Sequence, residues 1–152
     1  MANKKIKVVA VNRKAKHDYS ILESWEAGIV LKGAEVKSIR EGKVNLRDGY
    51  GRVEGGELFL HNIHISSYDK ASDKDYNPRR KRKLLMHRSQ INRVMGRVRA
   101  KGLTIVPLEM YFTRGMAKLN IGLGKGRKSY DRRERLRRKT VDREMERARK
   151  EN

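Results

Sequence analysis

Apolar and polar positions alternate along much of the chain, and glycines interrupt the alternation. A period of two marks strands with one buried face. Residues 20–25 and 28–31 read as one strand, bulged near Gly28. Residues 51–53 and 57–60 flank Glu54-Gly55-Gly56, a natural tight hairpin. Residues 103–106 run on through Pro107 to residues 110–112. Thr113-Arg114-Gly115 then turns into residues 117–123. Pro107 has no N–H to give a ladder, so it is expected at an edge or a bulge.

Three helical stretches interrupt the strands. Asn12 suits the N-cap of a short turn over residues 13–16. Residues 34–40 carry Val36 and Ile39 three apart, between Gly33 and Gly42. The clearest helix begins after Ser89. Ile91, Val94, Met95 and Val98 fall at i, i+3, i+4 and i+7, and Gly102 closes the segment. Those four side chains are read as core. Short antiparallel strands with a few small helices point to a mainly β chain closed into a barrel, because closure removes exposed edges. An oligonucleotide-binding type of barrel suits the pattern best, although other small barrels share it.

Charge changes the picture. The 152 residues carry a formal net charge of +21. Solubility needs a charge of roughly 2 to 8 in a small domain, so a polyanionic partner is expected. Each phosphate that a cation neutralises releases a counterion and adds affinity. Other totals exclude classes. With no cysteine there is no disulfide, no thiol catalysis and no cysteine-based zinc site, which suits a reducing cytoplasm. No run of about 18 apolar residues is present, so no membrane span is expected. Residues 1–7 are polar and expected to be flexible, with no apolar signal core after them. At 37% hydrophobic residues the chain can bury one modest core.

Candidate chemistry is thin for an enzyme. His61 and His64, three apart in a strand-like stretch, should point to opposite faces, which disfavours a joint metal site. Gly122-Leu123-Gly124-Lys125-Gly126 lacks the Lys-Ser/Thr ending of a nucleotide-binding loop. Its glycines are expected to let RNA phosphates approach the backbone. No metal, cofactor or catalytic set is expected.

Basic clusters are the stronger signal. Residues 79–83, five cations in a row, are expected to contact phosphate rather than serve as a solvated loop. A second cluster joins Lys4, Lys5, Lys7, Arg13, Lys14 and Lys16 to Asn12, His17 and Tyr19, which can hydrogen-bond or stack on bases. Shape-led recognition of folded RNA uses this mixture. Nine aromatic residues are few for a single-strand stacking platform. From Lys125 onward thirteen Lys/Arg stand against six Asp/Glu. The apolar stripe there is too thin to hold a long helix on a core. That tail is expected to be disordered alone and helical when bound to RNA.

Several motifs occur in order. They are Asn12-Arg13-Lys14-Ala15 with His17 and Tyr19, Glu26-Ala27-Gly28, residues 33–38, residues 83–85 and residues 102–108. Ala117-Lys118 through Ile121-Gly122 follows, then Lys125-Gly126-Arg127-Lys128 and Asp131-Arg132-Arg133. Over nearly its whole length the chain resembles the SmpB (small protein B) family, the tmRNA-binding proteins of bacterial trans-translation. Each motif is weak alone, and the order makes them specific.

The resemblance implies a six-stranded antiparallel closed barrel of oligonucleotide-binding (OB) type with three short helices and a basic C-terminal tail. It implies a flexible segment at residues 1–7, a tmRNA-binding core at 8–128 and a tail at 129–152. The core would hold the tRNA-like domain of tmRNA in place of a missing anticodon arm. Asn12, Arg13, Lys14, His17, Tyr19, Glu26, Lys118, Lys125, Arg127 and Lys128 match its RNA-facing surface. Glu26 is an acid beside RNA, which hydrogen bonding to base edges or hydroxyls would explain. The tail would enter the empty mRNA channel of a stalled ribosome and fold there. Tyr130 would sit at the 16S rRNA decoding centre, and Asp131, Arg132, Arg133, Arg137, Arg138 and Lys139 would carry the tail. Elongation factor Tu and alanyl-tRNA synthetase would meet the protein only through tmRNA. A monomer in the bacterial cytoplasm is implied. Arg127 and Arg132 replace lysines common in the family, which keeps charge and changes hydrogen-bond geometry. The competing reading is a structural ribosomal protein bound to rRNA.

Overall fold

The structure is a computed structural model that describes residues 6–68, 74–127 and 143–148. The elements run β1 (Ile6–Val11), α1 (Arg13–Asp18), β2 (Tyr19–Ile29), α2 (Gly33–Arg40), β3 (Val44–Asn45), β4 (Tyr50–Glu54), β5 (Glu57–His61), β6 (His64–Ile65), β7 (Arg82–Leu85), α3 (Arg88–Lys101), β8 (Thr104–Thr113) and β9 (Met116–Gly126). The chain is mainly β, and every strand pairing is antiparallel. Strands β8, β4, β5, β7, β2 and β9 follow one another in the sheet, and β9 pairs back onto β8. The sheet is therefore a ring of six strands. Strand β1 joins from outside. It takes the edge of β8 from Glu109 to Thr113, while β4 takes the same edge at Ile105. Strands β3 and β6 form a separate pair.

Alternation decides which side chains fill the ring. Leu119, Ile121 and Leu123 of β9 are buried in one core with Ile105, Met110 and Phe112 of β8 and Ala27 of β2. Their neighbours Lys118, Asn120, Gly122 and Gly124 therefore face outward. A smaller cluster lies on that outer face. Ala15 of α1 covers Val106 and Leu108, with Tyr19 and Ile21 packed against them. A bulge makes this possible. The register of β8 against β9 shifts between Pro107 and Glu109, so Leu108 turns out beside Val106. Pro107 thus sits at a bulge, as its missing N–H requires.

The helices and hairpins follow the sequence closely. The Asn12 carboxamide oxygen accepts from the Ala15 N–H at 3.1 Å and caps α1. Helix α3 buries Ile91 and Val94 and half-buries Met95 and Val98. Gly102 ends it in the left-handed conformation. Gly55 and Gly56 both have positive φ, which matches the twist of the β4–β5 hairpin.

Other features differ from the sequence reading. The β2 bulge falls at Leu22, between Ile21 and Glu23, and not near Gly28. Leu22 is the unpaired extra residue and remains half exposed. Part of the N-terminal stretch expected to be flexible is strand β1, because the edge of β8 beyond β4 is open to pairing. The strand-like run between His61 and His64 is broken at Asn62, whose φ is 62°. His61 stacks on Tyr50, with ring centroids 5.3 Å apart.

The five-cation run needs the largest correction. Arg82 is wholly buried in β7 and Glu35 of α2 is 1% exposed. The guanidinium reaches the Glu35 carboxylate at 2.6 and 3.0 Å and also donates to the Ile63 and Pro78 carbonyls. Arg80 pairs with the same carboxylate. Lys81 pairs with Glu54 and Lys83 with Glu57. Arg79 donates to Asn62. Strand alternation separates only Arg82 from Lys83, and each cation of the run has a partner within the fold. Burial alone would raise the Glu35 carboxyl. Hydrogen bonds from Arg80, the Lys32 N–H and Arg82 outweigh it and hold the group at about 2.

Residues 143–148 are helical with every side chain exposed. The remainder of the tail, with Lys128, Tyr130, Asp131, Arg132, Arg133, Arg137, Arg138 and Lys139, lies outside the described residues, as do Lys4 and Lys5.

Candidate nucleic-acid interface

Strands β2 and β9 pair along nearly their whole length, and this ribbon carries Tyr19, Glu26, Lys118 and Lys125 of the sequence-identified residues. Tyr19 and Ser20 face Gly126 and Lys125 at one end. Glu26 faces Asn120, and Gly28 faces Lys118, towards the other. Lys118 and Lys125 are seven residues apart, about 23 Å along a strand.

At the Lys125 end, α1 presents Arg13, Lys14, Lys16 and His17, all exposed. Lys14 bonds Asp48 at 2.8 Å, and His17 lies 3.0 Å from the Asp18 carboxylate. Lys125 and Arg127 are exposed at the end of β9. Cations from a helix and a strand end are thus collected beside the half-buried Tyr19.

Asn12 does not belong to that exposed set. It is 3% exposed and uses its polar atoms inside the fold. Its amide nitrogen donates to the Leu46 and Pro107 carbonyls at 3.0 and 2.9 Å. Its backbone N–H donates to the Leu108 carbonyl at 2.8 Å. Asn12 positions α1 by gripping the β8 bulge, and the cations after it are what α1 displays.

Gly122 and Gly124 of β9 are packing residues, whereas Gly126 has open space around it. A Cβ at Gly124 would stand 2.8 Å from the Tyr19 Cβ and 3.0 Å from its ring. One at Gly122 would stand 3.0 Å from Ile21 and from Leu108. At Gly122 and Gly124 the space expected to admit phosphates is instead taken by Tyr19 and the small outer core.

At the Lys118 end the structure adds residues that sequence reasoning missed. The Tyr111 hydroxyl donates to the Glu26 carboxylate. Tyr111 stands opposite Lys118, and Glu109 opposite Asn120. Burial, followed by the bond to Glu26, pushes the Tyr111 phenol above its usual range, so it stays protonated and acts as a donor. Glu26 is exposed but held in place beside Lys118 and Asn120. Tyr111 lay unnoticed within an apolar run. The bulge at Leu108 turns it outward, and a sequence pattern does not show which residue bulges.

The ribbon therefore offers cations at both ends, a fixed carboxylate and an aromatic ring. That arrangement suits a polyanion with exposed polar edges, as folded RNA has. Among the described residues, no group of three or more His, Asp or Glu side chains could hold a metal ion. Among them also, no helix is long and apolar enough to cross a membrane.

Known proteins match along the same body. The family described as "SmpB protein" matches residues 9–151. The SsrA-binding protein of Enterococcus faecalis is 52% identical over 146 residues, covering 96% of this chain and 95% of that protein. The SsrA-binding protein of Shouchella clausii is 56% identical over 145 residues, covering 95% and 93%. The Carboxydothermus hydrogenoformans protein of the same description is 55% identical over 142 residues, covering 93% and 95%. A chain of the solved structure described as "tmRNA-SmpB: a journey to the center of the bacterial ribosome" superposes with a TM-score of 0.66. It is 53% identical, and the match covers 79% of this chain and 84% of that one. Matches of this extent span the ring, α1 and the basic ribbon together, and the chain belongs to the SmpB family.

Proposed function

We propose that this chain is an SsrA-binding protein that holds the tRNA-like domain of tmRNA and carries it to stalled ribosomes. The observation that carries the reading is its identity of 52% or more to SsrA-binding proteins over nearly the whole chain. The β2–β9 ribbon supports it, because its cations and the held Glu26 suit RNA phosphates and base edges. The role is binding and not catalysis, as in the rest of this family of non-catalytic RNA-binding proteins.

In this reading the six-stranded ring is a closed barrel of OB type, and residues 8–128 form the tmRNA-binding core. Arg13, Lys14, His17, Tyr19, Glu26, Lys118, Lys125, Arg127 and Lys128 meet the RNA, with Asn12 positioning α1 behind them. Residues 129–152 enter the mRNA channel when it is empty. Tyr130 lies at the decoding centre there, and Asp131, Arg132, Arg133, Arg137, Arg138 and Lys139 follow along the channel. The protein works in the bacterial cytoplasm as a monomer, and elongation factor Tu and alanyl-tRNA synthetase act on its tmRNA partner.

Sequencing the RNA that co-purifies with the tagged chain tests the reading. Strong enrichment of one tmRNA is expected, also from a chain truncated after Lys128. Recovery of ribosomal RNA alone would overturn it.

A further inference from the structure

A cleft of about 260 Å³ opens between α1 and the turn at residues 46–50. It is far larger than a single water needs, and polar side chains line it. Lys14 and Asp18 stand on the α1 side, Arg47, Asp48 and Tyr50 on the turn side, with Tyr19 beside them.

Floor and wall are both fixed. Asn12 donates to the Leu46 carbonyl, and the Gly49 N–H donates to the same oxygen at 3.0 Å. A Cβ at Gly49 would come within 2.4 Å of Ile63 and 2.9 Å of Pro107, so the turn is seated against the core. On the wall, Tyr50 lies nearly parallel to His61, with 9° between the rings. His61 is 3.0 Å from Glu54, which also pairs with Lys81. Yet Tyr50 remains 41% exposed and lines the cleft. An aromatic ring braced from behind and open in front is a preorganised stacking surface. The mouth holds the cations Lys14 and Arg47. Asp48, bonded to Lys14, supplies carboxylate oxygens that can accept from the amine of a base.

We propose that this cleft takes one unpaired nucleotide of the bound RNA. Its base lies against Tyr50, with an exocyclic amine towards Asp48 and its phosphate beside Lys14 and Arg47. This deepens the proposed function and rests on it. The cleft adjoins α1, so a nucleotide there would extend the ribbon interface around the helix.

Footprinting of a folded tmRNA transcript with dimethyl sulfate and kethoxal tests the proposal on the full chain. The wild-type protein should protect one unpaired base that becomes reactive again with Tyr50→Ala and with Arg47→Gln. Tyr50→Phe, which keeps the ring, should restore the protection. Affinity should fall about tenfold for Tyr50→Ala, the scale of one lost base stack. Tyr50→Leu serves where alanine lowers the melting temperature of the protein. An unchanged footprint with folded Tyr50→Ala or Tyr50→Leu would overturn the cleft and leave the tmRNA reading intact. A wild-type chain with no footprint at all would overturn both.

Discussion

The phenol of Tyr111, near the C-terminal end of β8, donates to the carboxylate of Glu26, in the C-terminal half of β2. Strand β9 lies between the two strands, so the bond crosses a whole strand of the ring. The bond orients an acid that stands beside Asn120 and Lys118.

Tyr111→Phe should therefore weaken RNA binding by several-fold without direct loss of a cation. Stability should fall by about 1 kcal/mol, the usual net worth of one hydrogen bond. RNA titration and urea unfolding of the same variant check both numbers. Unchanged affinity would make the pair a structural contact only.

Asn12 offers a chemical contrast. Asn12→Ala removes the α1 cap, worth about 1 kcal/mol, and withdraws the amide donor from the Leu46 and Pro107 carbonyls. Asn12→Asp keeps a cap acceptor but turns an oxygen towards those carbonyls, which have no proton to share. The aspartate variant should be at least as destabilised as the alanine variant. Urea midpoints of the two decide, and a near-wild-type aspartate variant would contradict this placement of the amide.

Gly124→Ala should cost about 1–3 kcal/mol, because the new methyl meets the base of the Tyr19 side chain. Pairing it with Tyr19→Ala should recover part of that cost. A double-mutant cycle measures the coupling, and simple additivity would separate the two residues.

The Glu35 carboxyl has an ordinary value of 4.5 unfolded and about 2 in the fold. A depressed carboxyl stabilises the protein above pH 4.5, and that contribution is lost as pH falls through about 2. The difference amounts to about 3 kcal/mol. Glu35→Gln should flatten this acid limb in denaturant midpoints between pH 5 and 2. It should also cost stability at neutral pH, about 3–5 kcal/mol, because Arg82 stays charged and buried. An acid limb as steep as wild type would move the effect to another group.

Lys118, Lys125 and Arg127 should act through phosphate. Each change to alanine is expected to lower the slope of log affinity against log salt by about 0.7 to 0.9. Filter binding at several salt concentrations measures it. A slope that does not move would take that residue off the phosphate surface.

Much of this protein was legible in its sequence. Local chemistry marked what neighbours in sequence decide: Asn12 as a cap, Gly55-Gly56 as a hairpin turn, Gly102 as the end of α3. The ordered motifs identified the family, because order survives without coordinates. Tertiary structure decided what pairing over long separations controls. Residues 79–83 read as a free cationic run, yet Arg82 is buried against Glu35, 47 residues away. Gly124 read as an approach for phosphate, yet it makes room for Tyr19. Tyr111 meets Glu26 only because a bulge at Leu108 reversed which side of β8 faces out. Charge and period are local and can be read along the chain. The partner of a charge, and the face of a strand beyond a bulge, exist only once the ring has closed.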